Sequence, residues 1–309
     1  MSKYLLATLI LVLVSSAIEA REAGHYVPGI ANIRDFAVPT AAGFYYAQYN
    51  AFYSPDTYRD RNGNSFDPPN IDTEIDVIAI SPLFMWTTDK EIWGGRYGFY
   101  VLPSISQASV GSSISAANRD LDYDDDNTGL ADTFVQPLWL GWSGESHELS
   151  LGLGFYVPTG EYEADADDNI GLGFWTAQVQ ASGYYFFEES QATALMGALT
   201  YEVHDEKEDT DITPGDHATL EFGLSQYLSN RLEIGVHLFR QWQTESDSGS
   251  DAIAGSVKPE VDGYGLQVAY WTTPQLNLSF KYMVESDAEA RLEGEWAILN
   301  LTYVPTPLF

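Results

Sequence analysis

Cysteine is absent from all 309 residues, which removes disulfide frameworks, thiolate metal sites and cysteine nucleophiles together. Base is scarce: Lys+Arg number 14 against 45 Asp+Glu, a formal charge of −31. A nucleic-acid partner, which needs clustered positive charge, is excluded. Beyond the first 20 residues no apolar run approaches the roughly 20 that a spanning helix requires. What is abundant is apolar and aromatic material, 45% and 14% of the chain, too much for an acidic disordered polymer.

The N-terminus supplies the compartment. Lys3 precedes an apolar run from Tyr4 to Val14, followed by Ser15, Ser16, Ala17 and Ala20, the pattern of a secretory signal peptide. Cleavage after Ala20 is expected, with Ala17 as the second choice. That makes 1–20 a signal peptide and 21–309 a single exported domain.

The exported part reads as strands. Leu149, Leu151, Leu153, Phe155 and Val157 alternate with polar or small residues, as do Leu276, Leu278, Phe280, Tyr282 and Val284; this period of two leaves one apolar face per strand. Twelve such segments are predicted, at 41–53, 71–87, 91–107, 130–143, 147–159, 172–187, 191–204, 217–228, 231–244, 261–272, 276–286 and 292–304. Tight connections alternate with long ones, and most strands reach the length of about 9 to 11 residues that crosses a bilayer at a tilt. The predicted fold is therefore an all-β, transmembrane, antiparallel up-and-down barrel of about 12 strands. Its surroundings would be outer-membrane lipid and lipopolysaccharide, and its assembly would need the barrel-assembly machinery. Aromatic pairs near strand ends, Trp139 with Trp142, Tyr185 with Phe187 and Tyr270 with Trp271, are expected in the interfacial girdles. Residues 120–126, 161–168, 205–216 and 245–251 hold 19 acids and one base, Lys207, and are placed in the long connections on one rim.

Candidate chemistry is sparse. The Gly-x-Gly pairs at 152/154, 171/173 and 263/265 complete no phosphate loop and read as lumen-facing strand positions. Asp124, Asp126 and Thr128 partly copy a calcium loop, but Val135 stands where a bidentate Glu belongs. Loosely held Ca²⁺ or Mg²⁺ on the acidic rim is expected, and no other cofactor. His204 and Asp205 end one strand while Asp216 and His217 start the next, close together if the loop folds back. No motif fixes a serine nucleophile beside them, so an enzyme is not expected. The residues with transport meaning are those whose parity points inward: Gln178, Gln180, Tyr184, Phe186, Glu221, Tyr227, Glu233, His237, Phe239, Gln241, Gln267 and Lys281. Phe44, Tyr46, Tyr156 and Phe174 are assigned inward with them.

Several short stretches carry a family likeness. They are Gln136-Pro137-Leu138-Trp139 with Trp142, Pro158-Thr159-Gly160-Glu161-Tyr162 followed by Asn169-Ile170-Gly171, and Thr210-Asp211 with Pro214-Gly215-Asp216. Arg240-Gln241-Trp242-Gln243 with Asp247-Ser248-Gly249, and Arg291-Leu292-Glu293-Gly294, complete the series. In these the chain resembles the outer-membrane transporter family labelled "MetA-pathway of phenol degradation". The resemblance implies an outer-membrane barrel of a diderm bacterium that passes hydrophobic small molecules, and it supplies no binding residues. A passive channel for small aromatic or hydrophobic solutes is the expected function; the alternative is a structural or adhesive barrel whose acidic loops bind divalent cations.

Overall fold

The computed structural model describes residues 24–66, 71–116, 119–164, 169–252 and 258–305; the expected signal peptide, 1–20, lies outside the described residues. The strands are β1 (Gly43–Arg59), a two-residue β2 (Ser65–Phe66), β3 (Ile71–Ile92), β4 (Gly95–Ala116), β5 (Arg119–Ser143), β6 (His147–Val157) and β7 (Thr176–Phe186). They continue with β8 (Thr193–His204), β9 (His217–Tyr227), β10 (Leu232–Gln243), β11 (Glu260–Thr273), β12 (Leu276–Glu289) and β13 (Arg291–Tyr303). Each long strand pairs antiparallel with its sequence neighbours, and β13 pairs with β1, so twelve strands close into a barrel with no free edge.

The period-two pattern sorts the faces. Leu195, Leu199, Phe222, Leu224, Ile234, Val236, Leu238, Leu266, Val268, Leu278, Phe280 and Leu299 all point outward and are exposed. A continuous apolar band of this size is stable in lipid and would aggregate in water. At the tight-turn end Phe44, Trp86 and Phe99 stack along the outside, with ring centroids 5.0 and 5.5 Å apart, which is one girdle. Tight-turn ends of such barrels face the periplasm and the long connections face outward.

Three expectations change. Phe44 and Tyr46 face outward, because the inward residues of β1 are Tyr45, Ala47, Tyr49 and Ala51; tyrosines on both faces hide the parity. Trp139 and Trp271 are buried inside rather than girdling the barrel. For Trp139 the cause is a bulge: the β5–β6 register shifts between Val135 and Leu138, and one extra residue at Pro137 flips the side-chain parity. Asp126 and Thr128 lie on β5 opposite Ser109 and Gln107, in a hairpin that extends the barrel wall rather than in a loop. A ladder does not wrap its side chains around an ion. The side chain of Asp124 lies outside the described residues, and among the described residues no three acidic or histidine groups converge as metal ligands.

Candidate functional site: a lumen holding its own N-terminal segment

The twelve residues assigned inward by parity all face the lumen, and they meet a segment that period-two reasoning passes over. Residues 24–42 form no strand, yet Asn32, Ile33, Phe36 and Val38 are among the most buried residues of the chain. His25 bonds Thr176 at the start of β7, beside the long connections. Arg34 donates to the carbonyls of Gln191 and Ala192, in a tight turn at the opposite end. The segment therefore runs the length of the lumen from the outer mouth to the periplasmic end before turning into β1.

Two devices hold it. The first is a polar clamp. Glu221 on β9 accepts from the Gly29 amide at 2.8 Å and from the Tyr26 hydroxyl. Lys281 on β12 donates to the carbonyls of Gly29 and Ala31 at 2.7 and 2.5 Å and to His237 Nδ1 at 2.9 Å. With Nδ1 accepting, Nε2 carries the ring proton, and it lies 3.2 Å from Glu221 Oε1. An ammonium and a carboxylate thus grip opposite poles of one short stretch of backbone, with an imidazole between them, and all three side chains are 1% exposed or less. Buried charges of this kind are tolerated because each has a partner. Around the clamp Gln267 accepts from Ile33 N, Gln241 donates to Tyr26 O, Ser279 donates to Asn32, and Asn300 donates to Ile30 O.

The second device is a set of glycine sockets. Gly223 on β9 and Gly235 on β10 face inward, and a Cβ on either would collide with the Ile33 side chain. Val38 occupies the same relation to Gly141. Strand glycines normally weaken a sheet; here they leave the depth into which the segment's apolar side chains fit. Phe36 joins Tyr184, Phe186 and Met196 in a buried cluster with Ile33, and Tyr184 both accepts from Phe36 N and donates to Ile33 O. Arg34 meets Glu233 at 3.5 Å and lies over the Tyr227 ring at 4.6 Å.

The opposite wall is aromatic. Trp139, Tyr100, Phe134, Tyr156 and His25 form a file of rings with centroids 5.6, 5.7, 4.5 and 4.6 Å apart. The inward glycines of β6 make it possible, since Gly152 lies under the Gln136 amide and Gly154 under the Phe134 ring. Gln136 on β5 stands in this wall and Gln178 on β7 beside it, each with one buried polar atom, Nε2 and Oε1 respectively, that no protein group satisfies.

Of the residues weighed for catalysis, His204 Nε2 and His217 Nδ1 come within 3.0 Å, as the folded-back loop required. Their further partner is Thr176 Oγ1, 2.7 Å from His204 Nδ1, while Asp216 turns away to accept from the Tyr201 hydroxyl. Tautomers aside, the pair is a structural link at the outer mouth. The motif stretches also find their role there. Asp132 accepts from Gly160 N and Leu172 N, Asp247 accepts from Gly215 N and Gln243, and Thr213 bridges to Ser248. Glu293 pairs with Arg59. These contacts tie the outer loops to one another and to the ends of the strands.

Comparison with known proteins agrees with the barrel. No curated protein matches the chain. Among solved structures, the COG4313 outer membrane channel from Pseudomonas putida F1 superimposes with a TM-score of 0.69 at 13% identity, covering 90% of this chain and 99% of that one. A FadL homologue from Pseudomonas aeruginosa reaches a TM-score of only 0.39 at 11% identity over 84% of this chain and 90% of that one, too remote to argue from. At such identities the likeness speaks for the fold alone. The sequence profile is more specific, since it spans residues 56–301, which takes in every barrel strand wholly or in part: the chain is an outer-membrane β-barrel that belongs to the family described as "Putative MetA-pathway of phenol degradation".

Proposed function

We propose that the protein is a passive outer-membrane channel for small, mainly aromatic or hydrophobic molecules, closed at rest by residues 24–42, and that it has no enzymatic role. The observation that carries this reading is the division of the lumen into two walls. Polar groups on β7 to β13 hold most of the segment, while β4 to β6 present a file of aromatic faces flanked by two unsatisfied amide atoms, of Gln136 on β5 and Gln178 on β7. Aromatic surface with sparse polar groups suits a ring bearing one polar substituent. A twelve-stranded barrel lies between one filled by its own side chains and one with an aqueous bore, so displacing a single extended segment would leave a narrow passage. The acidic rim and the lumen carboxylates Glu202, Glu221, Glu233 and Glu285 favour neutral or cationic solutes over anions.

The filled lumen also favours a second reading, a structural barrel that never opens. Uptake into liposomes separates the two. Phenol-like solutes should enter faster than benzoate-like anions and sugars, and more so in a barrel lacking residues 24–34. If neither form passes any of them, the structural reading stands; if anions pass best, the inferred lumen field has the wrong sign.

A further inference from the structure

The outermost side chain of the segment, His25, occupies a site that is more elaborate than a tether needs. Its ring lies flat on Tyr156, with centroids 4.6 Å apart and planes at 19°, and meets the edge of Phe174 at 4.9 Å. Both ring nitrogens are bonded: Nδ1 lies 2.7 Å from Thr176 Oγ1 and Nε2 lies 2.9 Å from Asp132 Oδ2. The imidazole and the carboxylate are each 4% exposed. The carboxylate owes its place to the loop rather than to His25, since the amides of Gly160 and Leu172 hold it at 2.9 and 2.8 Å. Phe174 also packs on His204, with ring centroids 5.2 Å apart and planes at 76°. If His25 leaves, what stays behind is a slot floored by the Tyr156 ring and bounded by the near-perpendicular Phe174 ring, with a carboxylate acceptor at one edge and a hydroxyl at the other.

We propose that this slot is the outer binding site for the transported solute, that its ligand is a single-ring aromatic carrying one hydrogen-bond donor, and that His25 is a built-in competitor for it. The inference rests on the channel reading above and names the site and the regulation. A phenolic hydroxyl donates to Asp132 while the ring takes the face of Tyr156. A methyl ether has no donor to offer the carboxylate, and a benzoate brings a second negative charge against it. Occupancy by solute and by His25 are mutually exclusive, so solute binds the released state and shifts the equilibrium toward it by mass action. Release here frees the outer end of the segment and leaves the Glu221–Lys281 clamp to hold the remainder, which makes solute arrival the first of two steps in opening.

The test is titration calorimetry of the detergent-solubilised barrel with phenol as probe and anisole and benzoate as controls. His25→Ala removes the competitor and should tighten phenol binding at least tenfold, with anisole and benzoate still weak. Asp132→Asn should weaken phenol binding at least tenfold in the His25→Ala background. Because Asp132 also organises a loop, Phe174→Leu serves as a second variant; it leaves the carboxylate in place and should weaken binding as well. Unchanged or weaker phenol binding in His25→Ala, or equal binding of anisole, overturns the proposal. The channel reading is judged separately, by uptake through the barrel lacking residues 24–34, so a permeable barrel with no phenol site sinks this inference alone.

Discussion

Replacing Ile33 by alanine tests whether the glycine sockets hold the lumen closed. Ile33 is fully buried, and its side chain fills the space that Gly223 and Gly235 leave on adjacent strands. Removing three carbons forfeits about 2.4 kcal/mol of transfer free energy, at roughly 0.8 kcal/mol per carbon. The cavity left between two rigid strands adds to this, so a total of about 3 kcal/mol lies well inside the range seen for buried Ile to Ala. Each 1.4 kcal/mol is about a factor of ten, so the ratio of released to seated segment should rise roughly 100-fold. The assay is the fraction of time open in planar bilayers, with Ile78→Ala on the lipid face as the control for general softening. Gly235→Val attacks the same contact from the barrel side and should open the channel too. If Ile33→Ala and Gly235→Val stay as closed as the wild type while deletion of residues 24–34 opens it, the socket argument is refuted and the polar clamp alone holds the segment.

Lys281→Met should cost about 3 to 5 kcal/mol, because it strands a buried carboxylate and two backbone carbonyls; thermal unfolding should show a loss that the double variant with Glu221→Gln partly recovers. Asp211, in the outer loop after β8, accepts from the Ser250 side chain and amide, which holds its carboxyl below the ordinary value of 3.8. A lowered value in the folded state means that the loop-to-loop contact is intact above the ordinary range and weakens as pH falls through the lowered one. The protection factor of the Ser250 amide, taken relative to its intrinsic exchange rate, should therefore fall below about pH 4, and Asp211→Asn should remove that step; a protection factor that does not change with pH in the wild type would contradict it. For topology, cysteines at Ser113 and Ser248 should label from outside whole cells and one at Ser229, in a tight turn, should not.

The barrel itself was legible because lipid on one side and a lumen on the other enforce strict alternation, and β6, β8, β10 and β12 display it without interruption. The same parity assigned Lys281 and Glu221 to the inward face, where both are buried. It failed where chain geometry broke the count: Pro137 adds a residue on β5 and turns Trp139 inward, and tyrosines on both faces of β1 concealed the orientation of Phe44 and Tyr46. Residues 24–42 were missed because a segment that borrows its hydrogen bonds from a surrounding wall needs no periodicity of its own. Its signature was on the wall instead. Gly141, Gly223 and Gly235 left inward strand positions empty, and a lysine, a histidine and two glutamates shared one lumen. Empty volume and buried charge inside a narrow barrel call for an occupant. Loop motifs such as Gly160 with Gly171, whose backbones approach too closely for any Cβ, carried the family likeness without revealing chemistry, because their work is to tie the outer loops to one another.

The most direct measurement is the conductance of the purified barrel lacking residues 24–34, set beside the wild type in the same planar bilayers. A wild type that is closed for most of the record and a truncated form with a steady, cation-selective conductance is the result expected if that segment is the stopper of an otherwise continuous passage. A truncated barrel that folds, inserts and still carries no current would show that the lumen is blocked by the wall's own side chains and that the protein is not a channel.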